Sequence, residues 1–229
     1  MKRVSQCAKA LTLNLVLMLA VPVIAQCQTV RTLAVSSHTD IYRAGGYDDG
    51  SDGVPPAVYS FSAAPRQILT LPRVAGLWDC GSAPPYGPDG STTSGCEPHT
   101  IETPIGPFSG IDMTDFVGPL AGMFLEDSLP ASAPLPLRFY VSDSSQGGIP
   151  TDFKILSPLI GQVFFIGNGL TGTDTGAHHV FFVPPTATHL YLGYVDSCSN
   201  SVPGCYYNNR GAVAANIQLQ SLAGNSVEP

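Results

Sequence analysis

Residues 196–211 read Asp-Ser-Cys-Ser-Asn-Ser-Val-Pro-Gly-Cys-Tyr-Tyr-Asn-Asn-Arg-Gly, which sets one carboxylate, two adjacent amides, two cysteines and a tight turn within one short segment. Asp196 offers a carboxylate, Asn208 and Asn209 offer side-chain carbonyls, and the turn at 202–204 can aim backbone carbonyls inward. Such a set suits calcium, a hard cation that takes about six to eight oxygens. It holds no imidazole or thiolate placed for zinc. The plainer reading is a disulfide-closed turn in which Asp and Asn cap the backbone, as these residues do in many loops.

Other chemistry-bearing residues point less clearly. The run 48–53, Asp-Asp-Gly-Ser-Asp-Gly, is similar to the start of an EF-hand loop, but the twelfth position counted from Asp48 is Tyr59 where that loop needs a glutamate. It therefore reads as a solvated turn. His178 and His179 are adjacent, so on a strand they face opposite sides and do not readily share a metal; one surface and one core histidine are expected. No Gly-x-Ser-x-Gly nucleophile elbow is present. A glycosidase-like carboxylate pair could be drawn from Glu102, Asp112, Asp115, Glu126 or Asp127, but the sequence does not show two of them facing one another. Trp78, the one tryptophan, is read as core before sugar platform.

These residues need a scaffold. With 24 glycines, 21 prolines and 12% charged residues, the chain is rich in turns and poor in material for amphipathic helices. Apolar or alternating runs predict strands at 57–62, 68–74, 123–125, 137–141, 163–166, 179–183, 190–195 and 212–219. In the last, Val213, Ala215, Ile217 and Leu219 share a face. Gly-, Pro-, Asp- and Ser-rich connections lie at 44–56, 81–95, 128–136 and 167–176. The one helical candidate is 152–159, stopped by Pro158. The fold class expected is all-β, a β-sandwich with little helix.

Lys2, Arg3 and Lys9 precede an apolar run from 10 to 24 that ends in small residues, the pattern of a secretory signal peptide over 1–25. That leaves 26–229 as a single β-sandwich domain, a length such folds reach as one unit. The exported chain then carries seven basic against seventeen acidic residues, −10 in formal charge, which disfavours nucleic acid and anionic membrane and agrees with cation binding. No later stretch approaches the roughly 20 apolar residues needed to span a bilayer. In an exported protein, the close cysteines Cys80 with Cys96 and Cys198 with Cys205 read as disulfides, leaving Cys27 over.

The segment 202–211, followed by an alternating last strand, resembles the final loop of the galactophilic, calcium-dependent bacterial lectins. Upstream, Ala-Gly-Leu-Trp-Asp-Cys at 75–80 and Tyr-Gly-Pro-Asp-Gly at 86–90 are similar to the lectin loop that gives a backbone carbonyl to calcium and packs an aromatic near the sugar. Three central segments, 123–127, 156–173 and 183–196, resemble the secreted domains that often precede a PEP-CTERM sorting tail in bacteria. Residues 225–229 offer no apolar span or basic end, so an anchored form is not expected.

The lectin resemblance implies a jelly-roll-like sandwich of galactose-binding-like type. It implies Ca2+ held by Asp196, Asn208 and Asn209 side chains with carbonyls near Cys80 and Cys205, and a sugar held by Asp196, Asn208, Tyr86 and His99. Ser197 to Ser201 form an insertion, since in those lectins the aspartate directly precedes the Val-Pro-Gly turn. The partner implied is a carbohydrate, galactose-like or an exopolysaccharide, with a homo-oligomer compatible. The alternatives are a structural envelope or matrix protein with a degenerate site, and a secreted hydrolase.

Overall fold

A computed structural model describes residues 30–81, 85–92, 100–113, 115–142, 144–198 and 202–222. The signal segment, Cys27, Cys96 and His99 lie outside these. The chain forms an all-β sandwich; its helical content among the described residues is three short 3-10 turns, at Ile41–Gly46, Ser144–Gln146 and Tyr206–Asn208.

With strands numbered in chain order, the first sheet has five, in the order β1 (Val30–Ser36), β14 (Arg210–Ser221), β3 (Gln67–Asp79), β12 (Val180–Phe182), β8 (Ile155–Leu156). The facing sheet has four, in the order β2 (Ala57–Ser60), β13 (His189–Gly193), β5 (Ala121–Leu125), β9 (Val163–Phe165). A three-stranded parallel group of β4 (Ile111–Met113), β6 (Leu137–Tyr140) and β7 (Ile149–Pro150), and a hairpin of β10 (Leu170–Gly172) and β11 (Thr175–His178), complete it.

The spine of the first sheet is the long antiparallel pairing of β3 with β14. Along β14 the expected alternation holds: Val213, Ala215 and Ile217 are buried and Leu219 packs against the core. On β3 the inward residues change parity, from Leu69 and Leu71 to Val74 and Trp78. The pairing explains it. Arg73 faces Asn216 and Thr70 faces Gln218, so Leu71 and Pro72 together oppose Ile217 as a β-bulge. Pro72 lacks an N–H to give the ladder and sits where none is needed. The extra residue turns Trp78 into the interior.

Aromatic contacts tie the sheets together. Phe181 of β12 meets Phe164 of β9 with centroids 5.1 Å apart, and Trp78 of β3 meets Tyr194, just past β13, at 4.3 Å. Phe164 also stacks on Phe124 of β5 at 5.3 Å. β5 is buried along its whole length.

Several expectations need correcting. The helical candidate 152–159 contains strand β8, whose Ile155 and Leu156 pair in parallel with Val180 and Phe181. The connection at 167–176 contains most of the β10–β11 hairpin, with Asp174 in the left-handed region. The strand expected at 68–74 runs on to Asp79, because β14 is long enough to pair with it throughout. No helix among the described residues is long and apolar enough to cross a membrane.

Candidate functional site

The loop at 196–209 follows β13 and leads into β14, at the end of the sandwich that holds Trp78. Asp196 is buried (2% exposed), as is Asn209 (2%). The Asn209 amide nitrogen donates to Asp196 Oδ2 at 2.7 Å and to the Ser37 carbonyl at 3.0 Å. Asp196 Oδ1 accepts the Ser197 N–H at 2.7 Å. The backbone N–H of Asp196 donates to the Tyr206 hydroxyl, which in turn donates to the Tyr194 carbonyl. His38 Nε2 lies 2.7 Å from the Asn209 carbonyl oxygen. The Asn209 side-chain oxygen is buried, and among the described residues it has no hydrogen-bond partner.

The Ser197 to Ser201 insertion does not separate Asp196 from the turn. The Gly204 N–H donates to the Asp196 carbonyl at 3.1 Å, and the Ser197 hydroxyl donates to the Val202 carbonyl at 2.8 Å. Cys198 and Cys205 are disulfide-bonded, with Cα atoms 5.4 Å apart. The disulfide closes the loop between them, and these hydrogen bonds hold Val202 and Gly204 beside Asp196 and Ser197. Cys205 takes a left-handed conformation, φ 69°, uncommon for a residue with a side chain. The turn Tyr206–Asn208 is capped from elsewhere: the Asp52 carboxylate accepts the N–H groups of Tyr206 and Tyr207, at 3.2 and 3.0 Å.

Asn208 is exposed, and among the described residues no hydrogen bond engages its side chain. It lies against the upstream loop, since a Cβ added at Gly81 would come within 2.7 Å of its carbonyl oxygen and 3.1 Å of its Cβ. Gly81, at φ 84°, therefore needs to be glycine both for conformation and for space. Its N–H donates to Asp79 Oδ1 at 2.7 Å, reversing the chain just after Cys80. Cys80 is buried and disulfide-bonded; Cys96, its expected partner, and His99 lie outside the described residues.

Tyr86 pairs with Trp78 through both backbone hydrogen bonds, 2.9 and 3.0 Å, and sets its ring at 4.9 Å, edge to face. It is half-buried, and among the described residues its hydroxyl has no partner. Burial raises the pKa of that hydroxyl, and the charges of Asp196 and Asp79 raise it further. Trp78 is wholly buried, with its indole nitrogen also unpartnered, so it is a core residue behind Tyr86 rather than a platform. Asp196, Asn209, Asn208, Gly81 and Tyr86 thus belong to one end of the molecule.

The remaining candidates have other employment. Asp112 pairs with Arg138, Asp115 accepts the N–H groups of Val141 and Ser142, and Asp127 accepts the Thr188 hydroxyl. Glu102 is exposed and Glu126 half-buried. His178, the last residue of β11, is exposed, and His179, between β11 and β12, is buried and stacked on Phe153 at 4.2 Å. In the 48–53 run Asp48, Gly50 and Asp52 are exposed, as expected of a solvated turn, and Asp52 also holds the Tyr206 turn. Ser37, His38 and Asp52 were not legible as site residues, since each reaches the loop from more than 150 positions away.

No family model matches the chain. A comparison with curated proteins likewise finds no match.

Proposed function

We propose that the protein is an exported lectin-like sandwich that binds carbohydrate through calcium at the 196–209 loop. One observation carries the reading. Across a five-residue insertion, the Asp196 carboxylate and the Asn209 side chain meet at 2.7 Å, with the Asn209 oxygen buried and without a donor. A buried carbonyl oxygen that no N–H or O–H satisfies costs free energy unless a ligand supplies the missing contact. Calcium does so, and it adds a counter-charge to the buried Asp196.

In this reading Asp196, Asn208 and Asn209 supply side-chain oxygens, and carbonyls near Cys80 and Cys205 complete the protein share. Vicinal hydroxyls of a galactose-like sugar then displace water from the ion. Asp196 and Asn208 hydrogen-bond the same hydroxyls, and Tyr86 borders them with its apolar ring. His99 stays a candidate from the resemblance alone. The galactose-binding-like type of the sandwich and kinship with the PEP-CTERM-associated domains belong to the same proposal.

A second reading has its own support. Both Asp196 oxygens already accept hydrogen bonds from the loop, from Ser197 and Asn209, as a purely structural tie would require. An envelope or matrix protein with a degenerate site fits that. Retention on immobilised galactose separates the two: the lectin is held in calcium and released by chelator, and Asn208→Ala flows through. Flow-through of the wild-type protein in calcium favours the structural reading.

A further inference from the structure

A cleft of about 650 Å³ opens between the 89–91 loop, the paired ends of β6 and β7 and the β10–β11 hairpin, and no residue of the 196–209 loop lines it. Clefts that hold small molecules run to roughly 300–1,000 Å³. Its floor is apolar. Phe116 and Phe165, both buried, meet edge to face at 5.9 Å, and the half-buried Tyr140 and Leu170 line it with them. The walls are tied together. Asp89 Oδ1 accepts the Asn168 N–H at 2.7 Å, while the Asn168 side chain accepts the Leu170 N–H at 2.8 Å and donates to the Gly172 carbonyl at 3.1 Å. Ser91 exchanges both backbone hydrogen bonds with Val117, at 3.0 and 2.9 Å, and the Thr151 N–H donates to the Tyr140 carbonyl at 3.0 Å. These bonds form the cleft before any ligand arrives.

Polar atoms are left over on the walls. Among the described residues no hydrogen bond engages Asp89 Oδ2, the Tyr140 and Thr151 hydroxyls or the Asp152 carboxylate, and all four residues line the cleft. No lysine, arginine or histidine lines it. An anionic ligand would meet two carboxylates without a counter-charge. A purely apolar ligand would strip water from the polar groups and return no hydrogen bond. A small cation would answer the carboxylates and leave the aromatic floor uncovered. A sugar ring meets both demands, since its C–H face packs on aromatic rings while its hydroxyls donate to carboxylates and exchange hydrogen bonds with Tyr and Thr hydroxyls.

We propose that this cleft binds a neutral oligosaccharide without calcium, as a carbohydrate site separate from the 196–209 loop and independent of the reading given to that loop. Asp89 Oδ2 and Asp152 accept from sugar hydroxyls, Thr151 orients them, and Tyr140 packs on a ring face. The volume exceeds that of a single hexose, so a chain of sugars fills it where a free monosaccharide does not.

Binding of the mature, oxidised chain in chelator to an array of immobilised neutral gluco-, galacto- and manno-oligosaccharides, with uronic-acid and amino-sugar oligomers beside them, tests this. At least one neutral oligosaccharide is expected to be held equally by the wild type and by Asn208→Ala, and to stay bound at high salt because no charge pair is involved. Tyr140→Ala and Asp89→Asn are each expected to weaken it about tenfold. Asp89→Asn keeps an oxygen for the Asn168 N–H, and Asp152→Asn, at an exposed position where folding is not at stake, weakens binding in the same direction. Failure to hold any neutral oligosaccharide in chelator overturns the proposal, as does binding that none of the three variants weakens. Binding confined to the amino-sugar or uronic-acid oligomers overturns it too. Neutral binding that needs calcium and is lost in Asn208→Ala belongs to the loop, so it supports the reading of that site while overturning this one.

Discussion

At the scale of residues, Asn208 and Asn209 differ in how far the fold depends on them. Asn209 is buried and donates to both Asp196 and Ser37, so Asn209→Ala leaves two acceptors short and costs about 1–3 kcal/mol. Asn208 is exposed and unengaged, so Asn208→Ala stays within about 0.5 kcal/mol. Urea unfolding in chelator measures both. Asp40 gives a pH prediction. Its folded pKa, about 8, lies above the ordinary 3.8, so the folded chain holds a proton that the unfolded chain releases across that range. The stability this contributes is full below about pH 4 and is lost as pH rises through about 8. The groups facing Asp40 are Asp49 and Ser51 from the 48–53 run, Tyr42 on its own turn, and Tyr206 across from it. In chelator the wild type is expected to lose stability between pH 5 and pH 8, and Asp49→Asn to lose less. An equal loss in the two contradicts the assignment.

At the scale of elements, the strands predicted from apolar runs and alternation are present, because those patterns report burial on one or both faces. β14 shows this most fully. The two- to four-residue strands β4, β7, β8, β10 and β11 were not legible, since pairing with distant segments rather than local pattern makes them strands. Ile155 and Leu156 illustrate the point: too few residues to show a period, they are drawn into the sheet by Val180 and Phe181. The bulge at Leu71 and Pro72 was written in the sequence as a proline inside a strand-like run, yet its effect, the inward turn of Trp78, needed the register of β14. The Cys198–Cys205 bridge closes a loop with a sequence separation of 7. Replacing both cysteines by serine is expected to cost about 2.5 kcal/mol by the chain-entropy relation, read by thermal unfolding, and to weaken calcium binding at the loop it tightens.

For the molecule as a whole, cross-sheet aromatics set the stability. Phe164 touches Phe124 in its own sheet and Phe181 in the other, so Phe164→Ala is expected to cost about 3–5 kcal/mol in chemical unfolding without changing the calcium affinity of whatever fraction is folded. The all-β class was legible from composition. The site was legible only in part: Asp196 and Asn209 were grouped from their residue types and spacing, while Ser37, His38 and Asp52 converge on them through the fold alone.

The most direct test of the central claim is calorimetric titration of the mature, oxidised chain with galactose, in saturating calcium and again in chelator, repeated on Asp196→Ala and Asn208→Ala. The account predicts binding in calcium, none in chelator, and none in either variant; galactose binding that survives chelation, or an absence of binding in calcium, contradicts it.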